Sequence, residues 1–338
     1  MIDISMQYLG LDLNGPIVVA STPLSDSLDN LRHMEDAGAS AVVLKSLFEE
    51  QLALESRALD DDLSRGTNSY PEALNFLPEQ PDYHMSHEGY LEHVRKAREA
   101  VDIPIIASLN GTTPGGWVRY ARDVEQAGAH AIELNTFALA TDRSQTSAEI
   151  ELQLLALVND VCKAVNIPVA VKLSQSFTSI PNLAAQLEGA GARGLVLFNR
   201  FYQPDFDIEA LEVRPTMHFS TPSELLPRLH WAAILYGHLK GDIGITGGVH
   251  SAEDVLKAVM AGGSVAMMVS ALHLHGIDHI ARELANLRYW LERREYTSLM
   301  ETRGCLSRRS VPDTSPYDRG NYIRTLSSYS MRPTVAAF

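Results

Sequence analysis

The stretch "VEQAGAHAIELN", residues 124–135, decides the fold. A helical run ends at Ala127-Gly128-Ala129, and an apolar segment from Ala131 to Leu134 follows at once and stops on Asn135. A glycine there supplies a left-handed helix stop, and the next small residue lets the chain turn straight into a strand. The same layout recurs in "MEDAGASAVVLKS" (34–46), "LEGAGARGLVLFN" (187–199) and "VMAGGSVAMMVS" (259–270). Two more strands are entered through proline, in "IPIIASLN" (103–110) and "IPVAVKLS" (167–174). Proline donates no ladder hydrogen bond, so it belongs at a strand's first position.

Working outward, eight strands are expected at 16–21, 41–46, 104–109, 131–135, 168–173, 194–199, 242–247 and 264–269. They are short and apolar on both faces, as buried parallel strands are. Helical periodicity fills the gaps, as in 147–165 and 251–262. Eight alternating units predict an α/β chain folded as one (β/α)8 TIM barrel, with a core over about 16–290. A doubly wound open sheet is the rival. It calls for a glycine-rich turn after the first strand, and "VVASTPLSD" (18–26) has no glycine. Residues 1–16 read as a hairpin closing the barrel floor. The long strand-to-helix connections 47–87 and 200–225 read as lid insertions on the catalytic face, and the extension 300–338 as a tail that packs back or joins a partner.

A net charge of −14 argues against a nucleic-acid partner, because phosphate backbones are bound by Lys and Arg. Two cysteines, Cys162 and Cys305, make a disulfide framework or a zinc site unexpected, and Cys162 reads as a core residue. "HLHG" (273–276) lacks a third metal ligand. No signal peptide and no bilayer-spanning run is visible, so a soluble cytoplasmic protein is expected.

In a barrel the C-terminal ends of the strands share one pocket. Here they carry Ala20-Ser21, Lys45-Ser46, Ser108 with Asn110, Asn135, Lys172, Asn199, Gly247-Gly248 and Val269-Ser270. The Gly pair and Ser270 stand where barrels hold a phosphate on backbone N–H groups, near a helix starting at Ser251. Lys172 lies inside a dry strand, and Lys45 poses the same question. A buried lysine serves as a Schiff-base nucleophile, as a fixed cation for a bound anion, or as one half of an internal salt bridge, here to Glu133.

These segments resemble the class 1 dihydroorotate dehydrogenases. "LGLDLNGPIVVAS", "LKS", "NGTTPGG", "AIELN", "PVAVKL" and "ITGGVHSAEDVLKAVMAGGSVAMMVSAL" carry the resemblance from about residue 4 to residue 290. It implies a (β/α)8 barrel with FMN, usually a homodimer, that oxidises dihydroorotate to orotate in pyrimidine biosynthesis with a small-molecule electron acceptor. On the matching positions it implies that Ala20, Ser21, Lys45 and Ser46 line the flavin, with Asn110 among the cofactor contacts. Asn135 touches flavin and substrate, Lys172 meets the N1–O2 edge, and Gly247, Gly248, Val269 and Ser270 hold the phosphate. Asn68 and Asn199 match positions that bond the pyrimidine.

One half of the pattern departs. The family's base, a Cys or Ser in the loop after strand four, falls on Ala138, which accepts no proton. The lid motif reads Asn68-Ser69-Tyr70-Pro71, and the residue after Asn199 is Arg200. Thr136, Thr141 or Tyr70 then serves as base, or the substrate needs none. The changes together point to an FMN-dependent oxidoreductase with a substrate of its own. A flavin-free lyase or aldolase using Lys172 or Lys45, and a flavin-binding protein without turnover, are the alternatives.

Overall fold

All four repeat turns carry their glycine in the left-handed region, with φ of +93° at Gly38, +97° at Gly128, +109° at Gly191 and +119° at Gly262. Each lets a helix stop and the chain reverse directly into a strand. The computed structural model describes residues 2–49, 86–111, 116–136, 139–200 and 204–328.

A hairpin of β1 (Met6–Tyr8) and β2 (Leu11–Leu13) precedes the barrel. The barrel strands are β3 (Ile17–Val19), β4 (Ala41–Val43), β6 (Ile105–Asn110), β7 (Ala131–Asn135), β8 (Val169–Leu173), β9 (Gly194–Leu197), β12 (Asp242–Thr246) and β13 (Val265–Met268). All pair in parallel, and the β13–β3 and β4–β6 pairings close the ring. The expected (β/α)8 barrel is therefore the observed fold. A short β5 (Leu47–Phe48) adds to the upper end of β6, so the connection expected from residue 47 begins as a strand. Outside the ring run α1 (Leu28–Asp36), α2 (His87–Ala100), α3 (Trp117–Gln126), α4 (Ser147–Ala164), α5 (Ile180–Gly189), α6 (Leu225–Leu235), α7 (Ala252–Ala261), α8 (Ser270–His275) and α9 (His279–Arg293).

Four expected strands, 16–21, 41–46, 194–199 and 264–269, are two or three residues longer than the observed ones. At the upper ends part of the backbone still pairs, as the Leu44 N–H does with the Ile106 carbonyl at 2.9 Å, but side chains claim the rest: the Lys45 N–H donates to Ser25 Oγ at 2.9 Å. The 200–225 connection is no plain loop. It holds an antiparallel hairpin, β10 (Asp205–Asp207) with β11 (Glu212–Arg214), whose cross-strand pair Phe206 and Val213 is exposed.

Two apolar layers surround the ring. The outer one lies between strands and helices. The inner one joins Val18, Val43, Ile106, Ala170, Val196 and Met267 to Tyr8, Leu9 and Leu13 of the hairpin, which plugs the floor as expected. Two inward glycines make room for that plug. A Cβ on Gly194 would stand 2.7 Å from Leu9 Cδ2, and one on Gly244 would stand 3.1 Å from the Tyr8 hydroxyl.

The tail packs back. Gly304 and Leu306 N–H groups donate to the carbonyls of Val259 and Met260, both at 2.9 Å, and Arg308 N–H to Ala233. Arg303 Nη2 meets Ser264 Oγ at 2.5 Å and Asp242 Oδ1 at 3.4 Å. The other oxygen of Asp242 accepts the Leu9 N–H at 2.8 Å, so one carboxylate ties hairpin and tail to the same strand end. Among the described residues no helix is long and apolar enough to cross a membrane.

Candidate functional site

In parallel strands, residues in register share a face, and here the register runs Asn110, Asn135, Lys172 across β6, β7 and β8. One layer lower it runs Ser108, Glu133, Ala170. Alternation along each strand points both rows inward. The sequence thus builds a polar storey at the barrel mouth above the apolar plug.

Lys172 is 8% exposed and its Nζ lies 3.1 Å from Glu133 Oε1, a carboxylate 1% exposed. The internal salt bridge to Glu133, one of the roles open to this lysine, is present. Among the described residues the second oxygen of Glu133, Oε2, has no hydrogen-bond partner, nor has the Tyr8 hydroxyl below it in the barrel. Burial, with the charges of Glu133 and Asp242, holds the Tyr8 phenol well above its usual range.

Beside this pair Asn199 Nδ2 donates to Asn135 Oδ1 at 3.1 Å. Thr136 is buried, and its hydroxyl points to the Lys172 carbonyl at 3.4 Å. Thr141 is exposed. On the adjoining strand ends Ser21, Ser46 and Ser108 form a hydroxyl chain, with Oγ–Oγ distances of 3.2 Å and 2.7 Å. Lys45 Nζ reaches Asp26 Oδ2 at 2.9 Å, and Ala20 is buried in the inner layer. A cavity of about 720 Å³ opens outward from Thr136 and Asn199 toward Ser174, Phe177, Arg200 and Arg228. Two guanidiniums share one carboxylate there: Arg200 grips Glu224 through Nε (2.8 Å) and Nη2 (3.2 Å), and Arg228 Nη2 stands 4.0 Å from it. Burial, reinforced by the charge of Arg200, pulls the Arg228 guanidinium down against the counterpull of Glu224.

The expected phosphate residues also assemble. Gly247 and Gly248 have φ of +88° and +83°. Val269 precedes α8, and Ser270 begins it. Sequence reading missed what completes this corner. Ser220, 50 residues from Ser270, donates its N–H to Ser270 Oγ at 2.9 Å. Its own Oγ lies 2.9 Å from Ser270 Oγ and accepts the Gly248 N–H at 3.2 Å. The one sequence signal was the "STPSE" start of a helix at 220–224, a capping pattern. Arg228 was missed as well: its Nε bonds the Thr246 carbonyl at 2.5 Å, with the guanidinium against Gly247.

Asn68, Tyr70 and Ala138 lie outside the described residues. The two histidines of "HLHG" diverge: His273 meets Thr22 Oγ1 at 2.9 Å while His275 packs on His279. Among the described residues no cluster of His, Cys, Asp and Glu fits a metal ion. Cys162 is half-buried against the core, its thiol pushed up to about 11 by burial.

Residues 4–288 match the family model described as dihydroorotate dehydrogenase. A protein of Aeropyrum pernix provisionally named dihydroorotate dehydrogenase A (fumarate) is 28% identical over 307 residues, covering 86% of this chain and 94% of the relative. The dihydroorotate dehydrogenase B (NAD(+)) catalytic subunit of Methanosarcina acetivorans is 26% identical over 300 residues, 87% of this chain and 93% of its own. The protein of that name from Bacillus pumilus is 30% identical over 210 residues, 59% and 67% of the two chains. A family match over most of the chain, on a closed barrel with these residues at its mouth, makes the protein a member of the dihydroorotate dehydrogenase family of oxidoreductases.

Proposed function

We propose that the chain is an FMN-dependent oxidoreductase acting on a carbon–carbon single bond, with a reductant other than dihydroorotate. The observation that carries the reading is the buried Lys172–Glu133 pair at the mouth, level with Asn135. An ammonium held by a buried carboxylate is a fixed cation, not the neutral amine that attacks a carbonyl. This favours the flavin reading over the lyase.

The residues fit the cofactor. A backbone N–H on Gly248, hydroxyls on Ser220 and Ser270, and a glycine pair with no room for a Cβ suit a phosphate. The hydroxyls of Ser21 and Ser46 and the amides of Asn110 and Asn135 suit a ribityl chain and a flavin ring. When bound, FMN supplies a two-electron acceptor. Lys172 would set a fixed positive charge beside the bound ring, and Glu133 keeps that lysine in place. Asn135 and Asn199, locked to each other, orient the substrate. Ala138 supplies no base, and the Arg200 and Arg228 side of the cavity offers groups that the resemblance does not account for. Both support a different substrate. The reading also makes the chain a cytoplasmic homodimer serving small-molecule donors and acceptors, on the strength of the resemblance.

The test is an anaerobic visible spectrum of the purified protein before and after dihydroorotate. The expected outcome is a band near ~450 nm from bound flavin that persists with dihydroorotate and bleaches with dithionite. Prompt bleaching by dihydroorotate would overturn the substrate claim, and no band after FMN is supplied would overturn the flavin claim.

A further inference from the structure

His250 is drawn into the corner built by Ser220, Gly248 and Ser270. Its Nε2 lies 3.3 Å from Ser220 Oγ, the same oxygen that accepts the Gly248 N–H and meets Ser270 Oγ. One oxygen thus has three polar groups around it at 2.9–3.3 Å. That is how a phosphate oxygen is held. The main chain of His250 is held on both sides: its backbone N–H donates to Asp254 Oδ2 at 3.0 Å, and its carbonyl meets His279 Nε2 at 2.7 Å.

The helix beside this corner offers little to an anion. The N–H groups of His250 and Ser251 are both committed to Asp254 Oδ2, and the Ala252 N–H is committed to Glu283 Oε2 at 2.7 Å. Two buried carboxylates therefore occupy the place where a helix N-terminus would attract a phosphate. A phosphate on Gly248 and Ser270 meets their repulsion, and a further side-chain donor facing it offsets that. Arg228 lies against Gly247, but Glu224 and the Thr246 carbonyl engage it. His250 is the side chain already aimed at the oxygen.

We propose that His250 is a direct ligand of the phosphomonoester bound at Gly248 and Ser270, compensating for the carboxylates of Asp254 and Glu283. The inference rests on the flavin reading for the identity of the ester. It assigns a residue that the resemblance and the family match leave unassigned.

The experiment titrates the flavin-stripped full chain, wild type and His250→Leu, with FMN and with riboflavin, following quenching of flavin fluorescence. Riboflavin lacks the phosphate and reports the rest of the site and the integrity of the fold. Loss of one charge-assisted hydrogen bond weakens binding about ten- to a hundredfold. The expected result is a loss of that size for FMN in the variant, with riboflavin unchanged and inorganic phosphate competing less well against FMN. Equal FMN affinity in both proteins overturns the assignment of His250, as does an equal loss for riboflavin. A wild-type chain that binds neither flavin overturns the flavin reading instead.

Discussion

Lys172 and Glu133 face each other 3.1 Å apart on neighbouring strands, one register step removed, inside a barrel whose next layer down is apolar. Removing one partner strands the other charge. Lys172→Met is expected to cost about 3–5 kcal/mol, the usual penalty for breaking a buried pair. The double variant Lys172→Met/Glu133→Leu should recover more than half of it, since no buried charge then remains. Urea unfolding of the three proteins checks this. Additive losses would mean that the two side chains act independently.

Gly248→Ala tests the cradle without touching a side chain. The new Cβ would stand 2.5 Å from Leu225 N at a φ of +83°. Left-handed strain and overpacking together are expected to cost about 2–5 kcal/mol. Thermal melting should show the loss, and the variant should purify without flavin.

Acid should weaken the fold through His130. Its Nδ1 accepts the Ile105 N–H at 3.0 Å, and burial, then the charge of Arg98, lowers its pKa from 6.5. Between the lowered folded value and 6.5, the unfolded chain binds the extra proton. Stability from this residue is therefore complete above that window and falls as pH drops through it. Urea midpoints between pH 7.5 and pH 5 should decline, and His130→Asn should flatten the decline.

The two thiols should react unequally. Burial raises both thiols, but Cys305 is exposed while Cys162 is half-buried and pushed up to about 11. At pH 8 that leaves about one Cys162 in a thousand as thiolate. Alkylation followed by mass spectrometry should label Cys305 first, with Cys162 modified only on unfolding.

The barrel was legible because its signals are local: a glycine stop and an apolar run recur in Gly38–Val43, Gly128–Leu134 and Gly191–Leu197. The strand-end residues were legible for the same reason, since alternation alone places Lys172 and Asn135 in one storey. Ser220 and Ser270 meet across 50 residues of chain, and nothing near either one announces the other. Arg228 sits in an ordinary helical run, and its burial comes from Glu224, Thr246 and Gly247, none visible as a pattern. The return of the tail over α6 and α7 uses backbone hydrogen bonds at Gly304, Leu306 and Arg308, which composition does not encode.

Asp242 divides the molecule's tasks. By holding Leu9 of the plug on one oxygen and Arg303 of the tail through the other, it anchors closure at the end of the strands opposite the mouth. Loops at the mouth then contribute little to keeping the ring shut. Such a scaffold can exchange the groups at its mouth while the frame beneath stays in service, because the bonds that shut the ring lie at its other end.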